Sequence, residues 1–192
     1  MDEMTKTGII AILIIFFTAA VAGAGSPPSA PPSLREVIGE HFEVVGLDGQ
    51  PITLESMIGA GRPVVIEFWA TWCAPCRKSV AHLRELKRKH GDEIVILGLT
   101  VDDYPDDVEK VRSFLRQYEV DYPISFAPDA LFQFMNQRTD IAVPKLFVFD
   151  RTGDLVQYLP RYSLFTRRHL FAAVDRALSS SPERSAADEP PE

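Results

Sequence analysis

Apolar and polar residues follow one another along this chain in the patterns of alternating strands and helices. Two nearly continuous apolar runs rich in Val and Ile, residues 63–69 and 94–101, are typical of strands buried on both faces. Between them, Val80, Leu83 and Leu86 recur at helical spacing among charged residues, which predicts an amphipathic helix. Together the three segments indicate a strand–helix–strand unit.

The rest of the body extends this pattern on both sides. Asp48-Gly49 separates two strand-like segments and predicts a hairpin. Pro105, followed by two acids, predicts the first turn of another helix, and Ser163 is placed to cap a last one. The other predicted elements are a strand at 124–127, a helix at 129–137 and strands at 146–149 and 155–159. Such an order predicts an α/β sandwich around a mixed sheet.

The two ends of the chain differ from this body in composition. Residues 9–25 carry no charge and follow Lys6, a pattern typical of an export signal. We therefore expect residues 1–25 to be a signal peptide or an N-terminal membrane anchor. The body is then periplasmic or otherwise extracytoplasmic. Residues 26–33 predict a Pro/Ser linker, residues 34–178 the folded domain and residues 179–192 a disordered tail.

Composition and charge narrow the class of function. Hydrophobic residues make up 46% of the 192 residues, as in a globular protein. The net charge is -7 and the chain has no basic block, which argues against nucleic acid as a partner. The chain has only two cysteines, Cys73 and Cys76, and a pair so close together staples no long loop. The pair therefore carries out redox chemistry, forms half of a metal site or has no function.

The position of the two cysteines favours redox chemistry. They lie where the first buried strand turns into the amphipathic helix, so we expect Cys73 at the helix start and Cys76 one turn inside it. Unpaired N–H groups and the helix dipole at that end stabilise a thiolate, the form that attacks disulfides. Cys76, covered by the turn, is suited to resolving the mixed disulfide. Pro75 fits the first turn, where its missing N–H costs little.

A metal site is the weaker interpretation of the pair. A structural zinc site needs four ligands, and the chain has no second Cys/His pair at ligand spacing. The four histidines are scattered, and we expect surface positions rather than ligation for them: His41, His82, His90 and His169. Copper binding remains a minor alternative.

The segment from Phe68 to Cys76, Phe-Trp-Ala-Thr-Trp-Cys-Ala-Pro-Cys, resembles the thioredoxin superfamily. Its threonine, the preceding Asp-Gly-Gln-Pro-Ile-Thr-Leu at 48–54 and the export signal resemble the TlpA/ResA branch, whose members are exported thioredoxin-like reductases. The resemblance covers residues 37–178. It implies a thioredoxin-like three-layer sandwich with a central mixed β-sheet and an N-terminal β-hairpin extension.

The resemblance also implies roles for residues outside the cysteine pair. Val143-Pro144 lies where the family has a cis-proline facing the cysteines, which exposes the Val143 backbone to a substrate strand. Glu67 lies where thioredoxins carry a buried acid, whose raised pKa suits it to take the proton of Cys76. Further substrate-binding residues are expected beside the thiols: Trp72, Ala74 and Pro75. Trp69 fits either this surface or the core.

Several positions depart from the family pattern. Ser79 stands where cytochrome-maturation members carry a glutamate, and Lys145 follows the expected cis-proline where threonine is usual. The glycine expected after the final hairpin is replaced within residues 159–163. These departures argue against a dedicated cytochrome-maturation reductase. They also predict that Lys145 and Arg161 add positive charge to the substrate surface near the disulfide.

The sequence therefore predicts an exported thiol–disulfide oxidoreductase that reduces protein disulfides through the Cys73–Cys76 pair. We expect no cofactor besides this pair, a membrane thiol donor of DsbD type and a monomeric chain. Three alternatives remain open on the same fold: a disulfide oxidant, a thiol peroxidase and a metal or cytochrome-assembly chaperone. The dipeptide Ala74-Pro75 does not fix the direction of electron flow.

Overall fold

The structure, a computed structural model, describes residues 30–58, 61–136 and 141–180. Seven strands within these residues form one sheet at the centre of the domain. They are β1 (Glu43–Gly46), β2 (Pro51–Thr53), β3 (Val64–Trp69), β4 (Val95–Thr100), β5 (Ile124–Phe126), β6 (Lys145–Phe149) and β7 (Leu155–Leu159).

The order of strands across the sheet is β2-β1-β5-β4-β3-β6-β7. The β3–β4 and β4–β5 pairs are parallel, whereas β6 pairs antiparallel with both β3 and β7. The β1–β2 hairpin extends the sheet through antiparallel pairing of β1 with β5. The predicted mixed sheet with an N-terminal hairpin extension is confirmed.

Helices cover both faces of this sheet and make the sandwich three-layered. They are α1 (Leu34–Gly39), α2 (Leu54–Ile58), α3 (Cys76–His90), α4 (Val108–Gln117), α5 (Asp129–Asn136) and α6 (Thr166–Ser179). Because side chains alternate along a strand, β3 supplies both cores. Ile66 and Phe68 pack with α1, α2 and α5, whereas Val65 and Trp69 pack with α3, α4 and α6.

Several helices differ from the sequence prediction. The short α1 and α2 were not expected, because each carries only two buried residues and so shows no helical periodicity. The prediction that α4 opens at Pro105 is wrong: the helix begins at Val108, after a turn that holds the proline. Ser163 does not cap α6, which begins at Thr166. Ser163 instead accepts a hydrogen bond from the N–H of Phe165.

Residues 1–25, the predicted leader, lie outside the described residues, as do 26–29 of the predicted linker and 181–192 of the predicted tail. Among the residues that are described, no helix is both long and apolar enough to cross a membrane. Within the described part of the chain, the first helix begins at Leu34 and the last ends at Ser179.

Ser33 caps α1 through a reciprocal pair of hydrogen bonds with Glu36. Its Oγ accepts from the N–H of Glu36 at 3.3 Å, and Glu36 Oε2 accepts from the N–H of Ser33 at 2.7 Å. These bonds satisfy N–H groups at the helix start, so we expect Ser33→Ala to lower the free energy of unfolding by about 1 kcal/mol. Urea denaturation checks this, with Ser113→Ala on the exposed side of α4 as the control. Equal midpoints for wild type and Ser33→Ala contradict the prediction.

Candidate active site

The turn between β3 and α3 holds the two cysteines as a disulfide. The Sγ atoms are 2.03 Å apart and the Cα atoms 5.3 Å apart. The expectation that Cys73 begins the helix is wrong, because α3 begins at Cys76 with Pro75 as its N-cap residue. Cys73 lies in the turn before the helix, and its N–H donates to the carbonyl of Ala70 at 3.2 Å. The first sulfur therefore lies beyond the helix end, facing its free N–H groups.

The two cysteines differ in access and in hydrogen bonding. Cys73 keeps 4% of its surface exposed and Cys76 none, so an incoming disulfide meets Cys73 first. The N–H of Cys76 points at Cys73 Sγ at 3.2 Å. A donor at the helix start favours the thiolate form of Cys73 once the disulfide is reduced. This arrangement is suited to attack by Cys73 and resolution by Cys76.

Val143 and Pro144 lie opposite the disulfide, at the start of β6. The bond between them is cis, in agreement with the resemblance. The carbonyl oxygen of Val143 is 3.4 Å from Cys73 Sγ. Because the oxidised sulfur carries no hydrogen, this is a contact rather than a hydrogen bond. It places the backbone before Pro144 against the more exposed of the two cysteines.

Asp102 holds the turn that carries Cys73, a role that the sequence analysis missed. It is buried just after β4, and its carboxylate accepts hydrogen bonds from the N–H of Thr71 at 2.8 Å and from the Thr71 hydroxyl at 2.7 Å. The hydroxyl of Thr100 also donates to it. Because β3 and β4 are parallel, their carboxyl ends lie at the same edge of the sheet. An acid just after β4 and a threonine just after β3 could therefore have been predicted to meet.

Glu67 lies in β3 with its side chain fully buried beneath α3. Burial raises the pKa of its carboxyl to about 8, and a hydrogen bond with Ser79 opposes this rise. The Ser79 hydroxyl contacts Glu67 Oε1 and lies 3.0 Å from the carbonyl oxygen of Cys76. The carboxyl is thus neutral near pH 7 and linked through one hydroxyl to the helix turn that holds Cys76.

The surface around the disulfide is apolar and exposed. Trp72 is 65% exposed beside Cys73, and Ala74 and Pro75 are also exposed. Trp69 belongs to the core, since it is buried and its ring centroid is 4.7 Å from that of Phe114. Of the two possibilities for Trp69, surface or core, the structure shows the core.

The prediction that Lys145 adds charge to this surface is wrong. Lys145 is fully buried and pairs with Phe68 across the β3–β6 ladder, so its side chain leaves on the sheet face that packs against α5. A single step of register along the strand after Pro144 determines the face, and the sequence alone does not specify that step. Arg161 is exposed.

The segment after β7, where the family glycine is missing, packs against α3. Tyr162 stacks on His82 with ring centroids 6.1 Å apart, and its hydroxyl is 3.2 Å from His82 Nε2. Lys78 Nζ lies over the same tyrosine ring, 5.9 Å from its centroid. His82 is therefore a packing partner of this segment, which lies beside the first two turns of α3.

Residues 38–158 match the sequence model of the AhpC/TSA family. The chain is similar to the thiol-disulfide oxidoreductase ResA of Bacillus thuringiensis subsp. konkukian (strain 97-27), with 30% identity over 118 residues, 61% of this chain and 64% of ResA. It is also similar to the thioredoxin-like protein YneN of Bacillus subtilis (strain 168), with 24% identity over 112 residues, 58% of this chain and 63% of YneN. The chain thus spans somewhat less than two thirds of the length of these relatives.

Solved structures share the fold. A thiol:disulfide interchange protein of the thioredoxin family from Chlorobium tepidum TLS superimposes with a TM-score of 0.59 and 23% identity, over 81% of this chain and 99% of that one. A secreted Mycobacterium tuberculosis disulfide oxidoreductase homologous to E. coli DsbE gives a TM-score of 0.60 and 19% identity, over 73% of this chain and 98% of that one. At these identities the likeness establishes the thioredoxin fold.

Proposed function

The chain belongs to the AhpC/TSA family, as a TlpA/ResA-like member of the thioredoxin superfamily, and we propose that it is a thiol–disulfide oxidoreductase that reduces protein disulfides. The observation that carries the proposal is the Cys73–Cys76 disulfide, with its first sulfur against the carbonyl of Val143. The buried carboxyl of Glu67, linked by Ser79 to the Cys76 backbone, supplies a base for the second cysteine.

The reduced pair passes two electrons to the substrate in two exchanges. The Cys73 thiolate attacks one substrate sulfur, so a Cys73–substrate disulfide forms and the other substrate sulfur leaves and takes up a proton. Cys76 then gives its proton to the ionised form of Glu67 and attacks Cys73 Sγ. The bond between Cys73 and the substrate breaks, and the second substrate sulfur leaves as a thiolate and takes up a proton. The substrate is then a dithiol, and the chain is left with its Cys73–Cys76 disulfide.

Substrate recognition in this proposal combines backbone and apolar contacts. The Val143 backbone before Pro144 receives an extended substrate segment, and the exposed Trp72, Ala74 and Pro75 contact the residues around its disulfide. No cofactor is needed besides the cysteine pair. The catalytic residues are Cys73, Cys76, Glu67 and Pro144.

We propose an extracytoplasmic site of action and a DsbD-type membrane thiol donor that returns the pair to its dithiol form. The apolar residues 9–25, typical of an export signal, support this location. A dithiol outside the membrane is consumed by each turnover, so a source of electrons is a chemical requirement of the reaction. We propose that the chain acts as a monomer.

The reduction potential of the Cys73–Cys76 pair tests the direction of exchange. We expect a potential more negative than that of the periplasmic oxidants, near the value of about -270 mV typical of thioredoxin. Equilibration with glutathione or dithiothreitol buffers gives this value, and turbidity of insulin measures the reductase activity. A potential near -120 mV makes the chain an oxidant and contradicts the proposed direction.

Two control measurements distinguish the other activities that this fold supports. Stoichiometric consumption of peroxide by the reduced protein, without insulin reduction, assigns it as a peroxidase. Tight one-to-one copper binding by the reduced protein, also without insulin reduction, assigns it as a metal chaperone.

A further inference from the structure

We propose that Ser79 is a positioning residue of the redox site, whose hydroxyl ties the carboxyl of Glu67 to the backbone of Cys76. The inference rests on the proposed exchange reaction and adds to it a residue that replaces the family's expected glutamate. Ser79 lies one turn after Cys76 on α3 and is fully buried, so its hydroxyl faces the sheet and is closed off from solvent.

The hydrogen-bond geometry around Ser79 joins two elements. Its Oγ contacts Glu67 Oε1 in β3 and lies 3.0 Å from the Cys76 carbonyl oxygen in α3. The second oxygen of Glu67, Oε2, is buried and makes no hydrogen bond with the described residues. Among the residues that the structure describes, Ser79 is therefore the hydrogen-bond partner that fixes the orientation of this carboxyl.

The hydroxyl has a single hydrogen, so its bonding depends on the charge of Glu67. When Glu67 is neutral, the carboxyl O–H donates to Ser79 Oγ, and the Ser79 O–H donates to the Cys76 carbonyl. When Glu67 is ionised, the Ser79 O–H turns to donate to the carboxylate, because a carboxylate only accepts. Each ionisation of Glu67 thus changes a hydrogen bond at the first turn of α3, where Cys76 lies.

Among the described residues, few other ionisable groups lie near Glu67. Its neighbours across the sheet are Gly98 in β4 and Leu146 in β6, and neither ionises. From the segment before β5, Tyr122 is coupled electrostatically to Glu67, and Arg84 of α3 acts on Tyr122 in turn. Cys76 is the titratable group on the side of α3 once the disulfide is reduced. Ser79 is the hydrogen-bond partner of Glu67, and its replacement changes the acidity of Glu67 without adding or removing a charge.

Titration of Glu67 in Ser79→Ala tests the inference. Without the hydroxyl, the ionised carboxyl loses its donor, so we expect the titration midpoint of Glu67 to rise by about one pH unit. Carboxyl-¹³C NMR of glutamate-labelled oxidised protein measures the midpoint, and the Glu67 signal is assigned by its absence in Glu67→Gln. An unchanged midpoint in Ser79→Ala overturns the inference.

Two further variants separate positioning from packing. Ser79→Thr keeps a hydroxyl and is expected to keep the wild-type midpoint. Ser125→Ala removes another buried hydroxyl, in β5 on the opposite face of the sheet, and is expected to leave the Glu67 signal unchanged. A shift in Ser125→Ala as large as that in Ser79→Ala assigns the effect to general packing and overturns the inference.

The rate at which a mixed disulfide is resolved tests whether Ser79 also affects thiol–disulfide exchange. In Ser79→Ala we expect the resolution of a mixed disulfide at pH 7 to slow about tenfold, because a midpoint one unit higher leaves about a tenth as much Glu67 ionised. The pH profile of resolution is expected to shift to higher pH by the same unit. A wild-type protein that reduces no disulfide refutes the proposed function, whereas the NMR titration still decides the role of Ser79.

Discussion

Cys73→Ser is expected to abolish insulin reduction, with a loss on the order of a thousandfold or more, because a serine hydroxyl does not supply the thiolate that attacks a disulfide. Cys73 is the more accessible of the two cysteines, and its sulfur lies against the Val143 carbonyl. In the proposed exchange this sulfur attacks the substrate disulfide. Insulin turbidity with dithiothreitol as the electron source measures the loss.

Cys76→Ser is expected to lose turnover in a different way, since attack by Cys73 survives and resolution does not. The Cys73–substrate disulfide then accumulates and is detected as a mass increase on non-reducing gels. Reduced wild-type protein is the control for folding, because it also lacks the disulfide. Wild-type turnover by Cys76→Ser contradicts resolution by this cysteine, and substrate trapping by Cys73→Ser instead reverses the two roles.

Much of this site was predictable because its signals are local in sequence. The pair Cys73 and Cys76, with apolar residues before and a helical pattern after, specifies a strand–turn–helix junction, and the structure has that junction. The resemblance implied a buried Glu67 with a raised pKa, and in the structure burial does raise the pKa of this carboxyl. The structure also places Pro144 opposite Cys73, in agreement with the resemblance.

The residues that were missed or misplaced depend on relations between distant segments. Asp102 holds Thr71 only because β3 and β4 pair in parallel and end together. Lys145 was expected on the surface and is buried, because pairing with Phe68 fixes its face. Ser79 looked like the loss of a functional glutamate, whereas in three dimensions its hydroxyl meets the buried carboxyl of β3. Register and side-chain partners of this kind are set by the tertiary structure.

Glu67→Gln is expected to raise the free energy of unfolding by roughly 3 kcal/mol at pH 7, because the native carboxyl is held neutral at a pH where the unfolded chain ionises it. Burial raises the pKa of Glu67 from 4.5 to about 8 in the folded protein. Below pH 4.5 both states bind the proton and the group has no effect. Between pH 4.5 and 8 the unfolded state binds fewer protons, so wild-type stability falls as pH rises, by about 1.4 kcal/mol per unit.

Urea denaturation of the oxidised proteins from pH 4.5 to 8 measures this difference. Glu67→Gln and Glu67→Met, neither of which ionises, are expected to share one pH dependence even if their packing gives them different absolute stabilities. The difference in the free energy of unfolding between each variant and wild type grows as pH rises from 4.5 to 8 and stays constant above pH 8. A difference in the free energy of unfolding that is the same at pH 4.5 and pH 7 contradicts a raised pKa for Glu67.

The same substitution is expected to slow the resolution of a mixed disulfide by about a hundredfold, at the low end of what a general base contributes. Glutamine packs like glutamate and keeps a hydrogen bond to Ser79, but it accepts no proton from Cys76. Quenched mixed-disulfide decay measures the rate, and attack by Cys73 is expected to be unchanged. A variant that is more stable and resolves at the wild-type rate refutes Glu67 as the base. A variant that is more stable but resolves the mixed disulfide more slowly shows that the buried carboxyl lowers folding stability and speeds proton transfer.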